Sequence, residues 1–152
     1  PASSSTSEVT PPVAAAASRA AGSLGMWSLR ADITTATNTS INWMDTAGNV
    51  MFHFNPRRRQ GQIVLNTKVG SWGREEYVAL KEGPLQADIR VTSVGYEVYI
   101  DDELRYTYAH RLPWSSFDKV VTAPASLNVT CVTAFSSGVV LPPRPSAVDA
   151  DA

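Results

Sequence analysis

The sequence predicts an all-β protein, a jelly roll built as a sandwich of two antiparallel sheets. From Met26 onward, short runs of alternating apolar and polar residues are divided by Gly, Asn, Asp and Pro, the pattern of strands and hairpin turns. No long amphipathic helix interrupts them. About ten strands patterned on both faces call for two sheets rather than one. At 152 residues the chain is one domain, long enough for a proper core.

Taken in order, residues 1–8 are small and polar and read as a disordered tail. They show no basic stretch leading into an apolar one, so no secretory signal is expected. Over 9–25 the signals conflict: Pro11 and Pro12 break helix, Ala14 to Ala21 favour a short one, and Gly22 and Gly25 punctuate the chain. Strands are predicted at 26–34, 40–44, 50–55, 62–67, 75–80, 87–93, 96–100, 103–108, 119–121 and 126–133. Turn chemistry separates them at 45–49, 81–84 and 93–95, and at Asp101-Asp102. The segment 136–152 holds Pro142, Pro143 and Pro145 and reads as a flexible tail. The folded domain is therefore expected over 9–135.

Composition narrows the function. A formal net charge of -1 with 18% charged residues gives no support to a nucleic-acid or anionic-membrane partner. No apolar run approaches the length that spans a bilayer, so membrane insertion is not expected. The lone Cys131 forbids an internal disulfide; it reads as a buried free thiol, compatible with a reducing compartment. The sequons at Asn38 and Asn128 read as chance, the second lying inside a predicted strand.

The segment His53-Phe54-Asn55-Pro56-Arg57 carries the chemistry. In an extended strand alternate side chains share a face, so His53, Asn55 and Arg57 project together while Phe52 and Phe54 enter the core. Asn66 adds an amide, Glu75 a carboxylate and Trp72 an indole. Such a set suits a neutral, hydroxyl-rich ligand. A pyranose both gives and accepts hydrogen bonds and presents one C–H face; fixed donors and acceptors read the first, and an aromatic plane the second. Taken singly, each residue has a blander reading: a structural histidine, an Asn-Pro turn, a cross-strand Arg57–Glu75 ion pair, a loop tryptophan capping the core. The conjunction favours a sugar site.

That conjunction resembles a known family. H-F-N-P-R at 53–57, V-L-N-T at 64–67 and W-G-R-E at 72–75 are similar to the signature of the galectins, the β-galactoside-binding lectins. The likeness continues through Tyr106-Thr107-Tyr108-Ala109-His110-Arg111-Leu112-Pro113 and through Leu127-Asn128-Val129-Thr130-Cys131-Val132, covering roughly residues 26–134. The resemblance implies a galectin-like jelly roll over 9–135, with an edge strand near its start. It implies recognition of β-galactosides of the lactose and N-acetyllactosamine type on glycoproteins or glycolipids, with no metal or cofactor. His53, Asn55 and Arg57 would grip the axial hydroxyl, and Asn66 and Glu75 the exocyclic hydroxymethyl group. Glu75 would also bridge Arg57 to the next sugar, and Trp72 would stack under the galactose. It further implies a cytoplasmic protein that can be exported without a signal peptide, and pairing through sheet edges into a homodimer.

Two departures from the family pattern stand out. Two residues beyond the carboxylate, where the family usually carries an arginine, this chain has Tyr77. Arg74 lies on the opposite strand parity and does not replace it. The connection from Arg57 to Asn66 is also short, and it places Arg58 and Arg59 at the groove edge. Tyr77, Arg59 and Val64 are therefore accessory candidates, and Arg58 with Arg59 could favour sulfated or sialylated extensions. The alternative function is a galectin-like domain with altered glycan specificity, or one that works through protein contacts without binding lactose.

An enzyme is not expected. Glycoside hydrolysis on a β-sandwich needs two carboxylates facing each other across the scissile bond. Glu75 and Glu76 fall on opposite strand faces, and Asp101-Asp102-Glu103 sits at a hairpin tip. His53 and His110 are the only histidines, and His110 with Arg111 reads as structural near a strand end.

Overall fold

The computed structural model describes residues 7–9, 27–34, 39–124 and 127–133. Its strands, in chain order, are β1 (Ser7–Val9), β2 (Trp27–Ile33), β3 (Ser40–Asp45), β4 (Val50–Arg57), β5 (Gln62–Val69), β6 (Ser71–Trp72), β7 (Glu76–Ala79), β8 (Leu85–Val91), β9 (Gly95–Ile100), β10 (Glu103–Ala109), β11 (Phe117–Ala123) and β12 (Asn128–Thr133). Two 3₁₀ turns, Arg58–Gln60 and Trp114–Ser116, join them. The expectations for 10–25 and for the tail at 136–152 lie outside the described residues.

The chain divides into two compact units, each containing one antiparallel sheet. The first holds a seven-stranded sheet in the order β1-β11-β3-β4-β5-β6, with β7 also pairing β5. Its buried side follows from alternation. On β3, Ile41 and Trp43 are fully buried, while Ser40, Asn42 and Met44 are half-buried on the other face. On β4, Phe52 and Phe54 have no exposed surface, as their position in the motif requires. Trp43 and Phe52 meet at 5.3 Å between ring centroids, across the register that pairs them. The β3–β4 turn is tied by Asp45, whose Oδ1 accepts from the backbone of Ala47 and Asn49 at 3.0 and 2.8 Å.

The second unit holds a five-stranded sheet in the order β10-β9-β8-β2-β12. Leu29, Ala31, Ala87, Ile89, Val98 and Tyr108 are among its fully buried members. Asp101 and Asp102 have φ of 50° and 69°, the left-handed pair that a two-residue hairpin between β9 and β10 needs. That acidic cluster is turn chemistry. Asp88 is 2% exposed and accepts from Arg30 Nη2 at 3.1 Å. On β12, half-buried Cys131 is a free thiol whose pKa burial pushes up to about 11.

Each predicted strand is present, with ends shifted by a few residues. Two strands are additional. Ser7 and Glu8, read with the tail, lie in β1 and pair with β11 through Thr122 and Val121. Ser71–Trp72 forms a two-residue strand against β5, too short for its sequence to show a period.

Candidate functional site

Strand β4 sets the site. His53, Asn55 and Arg57 are half-buried on one face, and Phe52, Phe54 and Pro56 are buried on the other. Strand β5 pairs so that Asn66 faces His53 and Val64 faces Asn55; β7 extends the row by placing Tyr77 opposite Val64. Opposed residues on neighbouring strands share a face, so three strands contribute to one surface. A groove of about 350 Å³ opens on it, within the size range of small-ligand sites. Its lining is His53, Arg57, Asn66, Trp72 and Glu75 from the predicted set, with accessory Val64 and with Gly73. Asn55, Tyr77 and Arg59 stand outside that lining, and the first two act on residues within it.

Hydrogen bonds and one ion pair hold the polar wall. Asn55 Nδ2 donates to the Thr39 carbonyl at 2.8 Å, and Asn55 Oδ1 accepts from Arg57 Nε at 2.9 Å. Arg57 Nη2 lies 3.5 Å from Glu75 Oε2, and the Tyr77 hydroxyl donates to Glu75 Oε1 at 2.7 Å. As an ion pair with both partners partly in water, Arg57–Glu75 contributes only about 0–1 kcal/mol. Its value is directional: Asn55 fixes one end and Tyr77 the other. The bond to Glu75 holds the Tyr77 phenol pKa above its ordinary value, so the hydroxyl remains a donor.

His53 is neutral at physiological pH. Burial, and after it the positive charge of Arg57, lowers its pKa to about 4, against smaller opposing effects of Glu75 and the Asn55 amide. A neutral imidazole has one donor and one acceptor nitrogen, which suits a hydroxyl.

Trp72 reaches the groove because the chain reverses at Gly70, whose φ of +74° favours glycine. The indole is 46% exposed. The His53 ring lies 4.6 Å away at 50°, and Lys68 Nζ is 5.3 Å from the indole centroid. The carbonyl of the following Gly73 accepts from Asn66 Nδ2 at 2.9 Å. A Cβ at Gly73 would lie 3.0 Å from Arg111 Nη1 and 3.4 Å from Asn66 Oδ1, so glycine permits this close passage. Asn66 is 3% exposed, and its oxygen accepts from Thr67 N at 2.8 Å and Arg111 Nη1 at 3.2 Å. One amide N–H of Asn66 is left for a ligand.

Arg111 is the residue that sequence reasoning under-read. It follows the end of β10, yet its guanidinium joins three parts of the site: Asn66 Oδ1, the Arg74 carbonyl at 2.8 Å and Glu76 Oε2 at 2.6 Å. The motif at 106–113 marked this segment, but nothing local shows that an arginine so far along the chain returns to Asn66.

The sequence profile of the galactoside-binding lectins matches residues 28–134. The chain belongs to this family. Among curated galectins, rat galectin-7 is 37% identical over 73 residues, covering 45% of this chain and 54% of the relative. Human galectin-4 is 33% identical over 103 residues, 63% of this chain and 31% of the relative. The matched region thus spans about half or less of those relatives' own length. Among solved structures, a toad ovary galectin in complex with thio-digalactose gives a TM-score of 0.61 at 16% identity, covering 84% of this chain and 98% of that one. Sheep galectin-11 in complex with glycerol gives 0.59 at 19% identity, covering 84% and 96%. The fold is the galectin jelly roll.

Against the galectin pattern, the structure shows what the two departures do. Tyr77 meets Glu75 through a neutral hydroxyl where a guanidinium is usual. Arg58 is not free at the groove edge: its Nη1 donates to the Lys81 carbonyl at 3.1 Å and its Nη2 to that of Gly83 at 2.7 Å, bracing the turn before β8. Arg59 is exposed on the 3₁₀ turn. Among the described residues no helix is long and apolar enough to cross a membrane, and no group of His, Cys, Asp and Glu could hold a metal ion.

Proposed function

We propose that this galectin domain binds β-galactosides of the lactose and N-acetyllactosamine type in the groove on β4, β5 and β6. The observation that carries the reading is the convergence of neutral His53, Arg57, Asn66, Glu75 and an exposed Trp72 on one groove. Donors, acceptors and an apolar plane are then all available to one pyranose. His53, Asn55 and Arg57 would bind the axial hydroxyl, and Asn66 and Glu75 the hydroxymethyl group. Trp72 would lie under the C–H face, excluding water and rejecting an epimer whose hydroxyl points into the ring. Such a groove gives dissociation constants of roughly 1 μM to 1 mM, or about -8 to -4 kcal/mol. Useful binding at a cell surface then calls for more than one site per particle, as a homodimer would supply.

A second reading, altered preference beyond the galactose, rests on Tyr77. It is 49% exposed beside Glu75 and offers a ring and a hydroxyl to the neighbouring sugar. A glycan-array screen with and without excess lactose tests both. Lactose-blocked signals on β-galactosides support the first reading, and lactose-insensitive glycan signals support a retuned site. A blank array from folded protein would refute both and leave a role in protein contacts.

A further inference from the structure

We propose that Asn42 is a positioning residue of this site: it holds His53 as the Nδ1–H tautomer, so that Nε2 meets the ligand as a hydrogen-bond acceptor. The inference deepens the lectin reading and rests on it for the ligand.

Asn42 on β3 is paired directly with His53 on β4, and both stand on the half-buried face. Asn42 Oδ1 is in hydrogen-bond contact with His53 Nδ1. An amide oxygen only accepts, so Nδ1 must donate; in a neutral ring Nε2 then carries the lone pair. Two other amide oxygens of the site have donors of their own. Asn66 Oδ1 accepts from Thr67 N and Arg111 Nη1, and Asn55 Oδ1 from Arg57 Nε. Trp72 packs on the ring, 4.6 Å between centroids.

The consequence is chemical selectivity. A fixed acceptor at Nε2 requires a ligand hydroxyl that donates to it, while Arg57, which can only donate, takes the lone pairs of the same oxygen. A hydroxyl satisfies both at once. A fluorine at that carbon accepts but cannot donate, and an axial hydrogen does neither.

The test is long-range ¹H–¹⁵N NMR of the labelled chain near pH 7.5, read beside lactose titrations. The chain has two histidines, so the His53 ring is assigned by its disappearance in His53→Asn. The unsubstituted chain is expected to show the Nδ1–H pattern. Asn42→Ala should shift the ring toward Nε2–H and weaken lactose roughly three- to tenfold, since binding must then select the tautomer. Asn42→Asp, whose carboxylate still accepts from Nδ1, should restore the Nδ1–H pattern and most of the lost affinity. An Nε2–H ring in the unsubstituted chain, or a ring unchanged by Asn42→Ala, overturns the proposal. So does an affinity loss in Asn42→Asp equal to that in Asn42→Ala. If the unsubstituted chain ignores lactose while its ring shows Nδ1–H, the lectin reading has failed rather than the tautomer assignment, and the ligand half of the proposal falls with it.

Discussion

Tyr77 and Glu75 share a 2.7 Å hydrogen bond, phenol donating to carboxylate, on a carboxylate whose other oxygen faces Arg57. A neutral donor thus serves where the family usually has a second cation. It orients Glu75, but it adds no charge to the groove and places an aromatic ring beside it.

Tyr77→Phe keeps the ring and removes the donor, so lactose affinity should fall by about two- to fivefold, the range for an exposed hydrogen bond to a charged group. Tyr77→Arg should raise affinity for lactose or N-acetyllactosamine and make binding more sensitive to salt. Calorimetric titration at two salt concentrations separates these outcomes. A loss in Tyr77→Arg would mean that the ring belongs to a rebuilt neighbouring subsite.

Trp72→Ala should weaken lactose binding by a hundredfold or more, about 3 kcal/mol, because an aromatic platform carries much of the buried area. The indole is already half exposed in the free domain, so the melting temperature should move little. Unchanged lactose affinity in a folded variant would refute the stacking role.

His53 predicts a pH dependence with a definite sign. Its folded pKa, about 4, lies below the unfolded value near 6.5. Between those values the unfolded chain binds the proton and the folded chain does not, so His53 favours unfolding as pH falls through that window. Stability should rise with pH from about 4 to about 6.5, by at most about 3 kcal/mol from this residue. Denaturant unfolding at pH 7, 5.5 and 4 should therefore show a shallower loss for His53→Asn than for the unsubstituted chain. Equal slopes would contradict the buried neutral imidazole. Burial lowers the His110 pKa too, and its contribution has the same sign in both chains.

Arg111→Lys tests the clamp behind the groove. A single ammonium cannot reach Asn66 Oδ1, the Arg74 carbonyl and Glu76 together as the planar guanidinium does. Stability should fall by about 1–2 kcal/mol, and lactose affinity should fall as well because Asn66 and the segment that follows Trp72 are less firmly held. A stability loss with unchanged lactose affinity would separate the clamp from the binding site.

How much of the site is legible in the sequence follows from how local each signal is. The alternation around Phe52, His53, Phe54, Asn55 and Arg57 has a period of two within one strand, so the division of faces can be read from the residues alone. The pairing of His53 with Asn66 is legible only through the motif, because register between strands is not a local property. Asn42 carries no signal at all: an asparagine between Ile41 and Trp43 is an ordinary outward strand residue until its neighbour is known. Arg58 reads as a groove-edge cation because the carbonyls it binds, at Lys81 and Gly83, lie beyond β5, β6 and β7 in the chain.

The half-buried thiol of Cys131 bears on how this domain would be handled. With its pKa raised to about 11, almost none of it is thiolate at neutral pH, and the thiolate is the form that oxidants and alkylating reagents attack. The folded domain should gain little mass from peroxide or iodoacetamide. The same reagents should label it promptly once denaturant opens β12, which makes Cys131 a built-in reporter of unfolding for this unit.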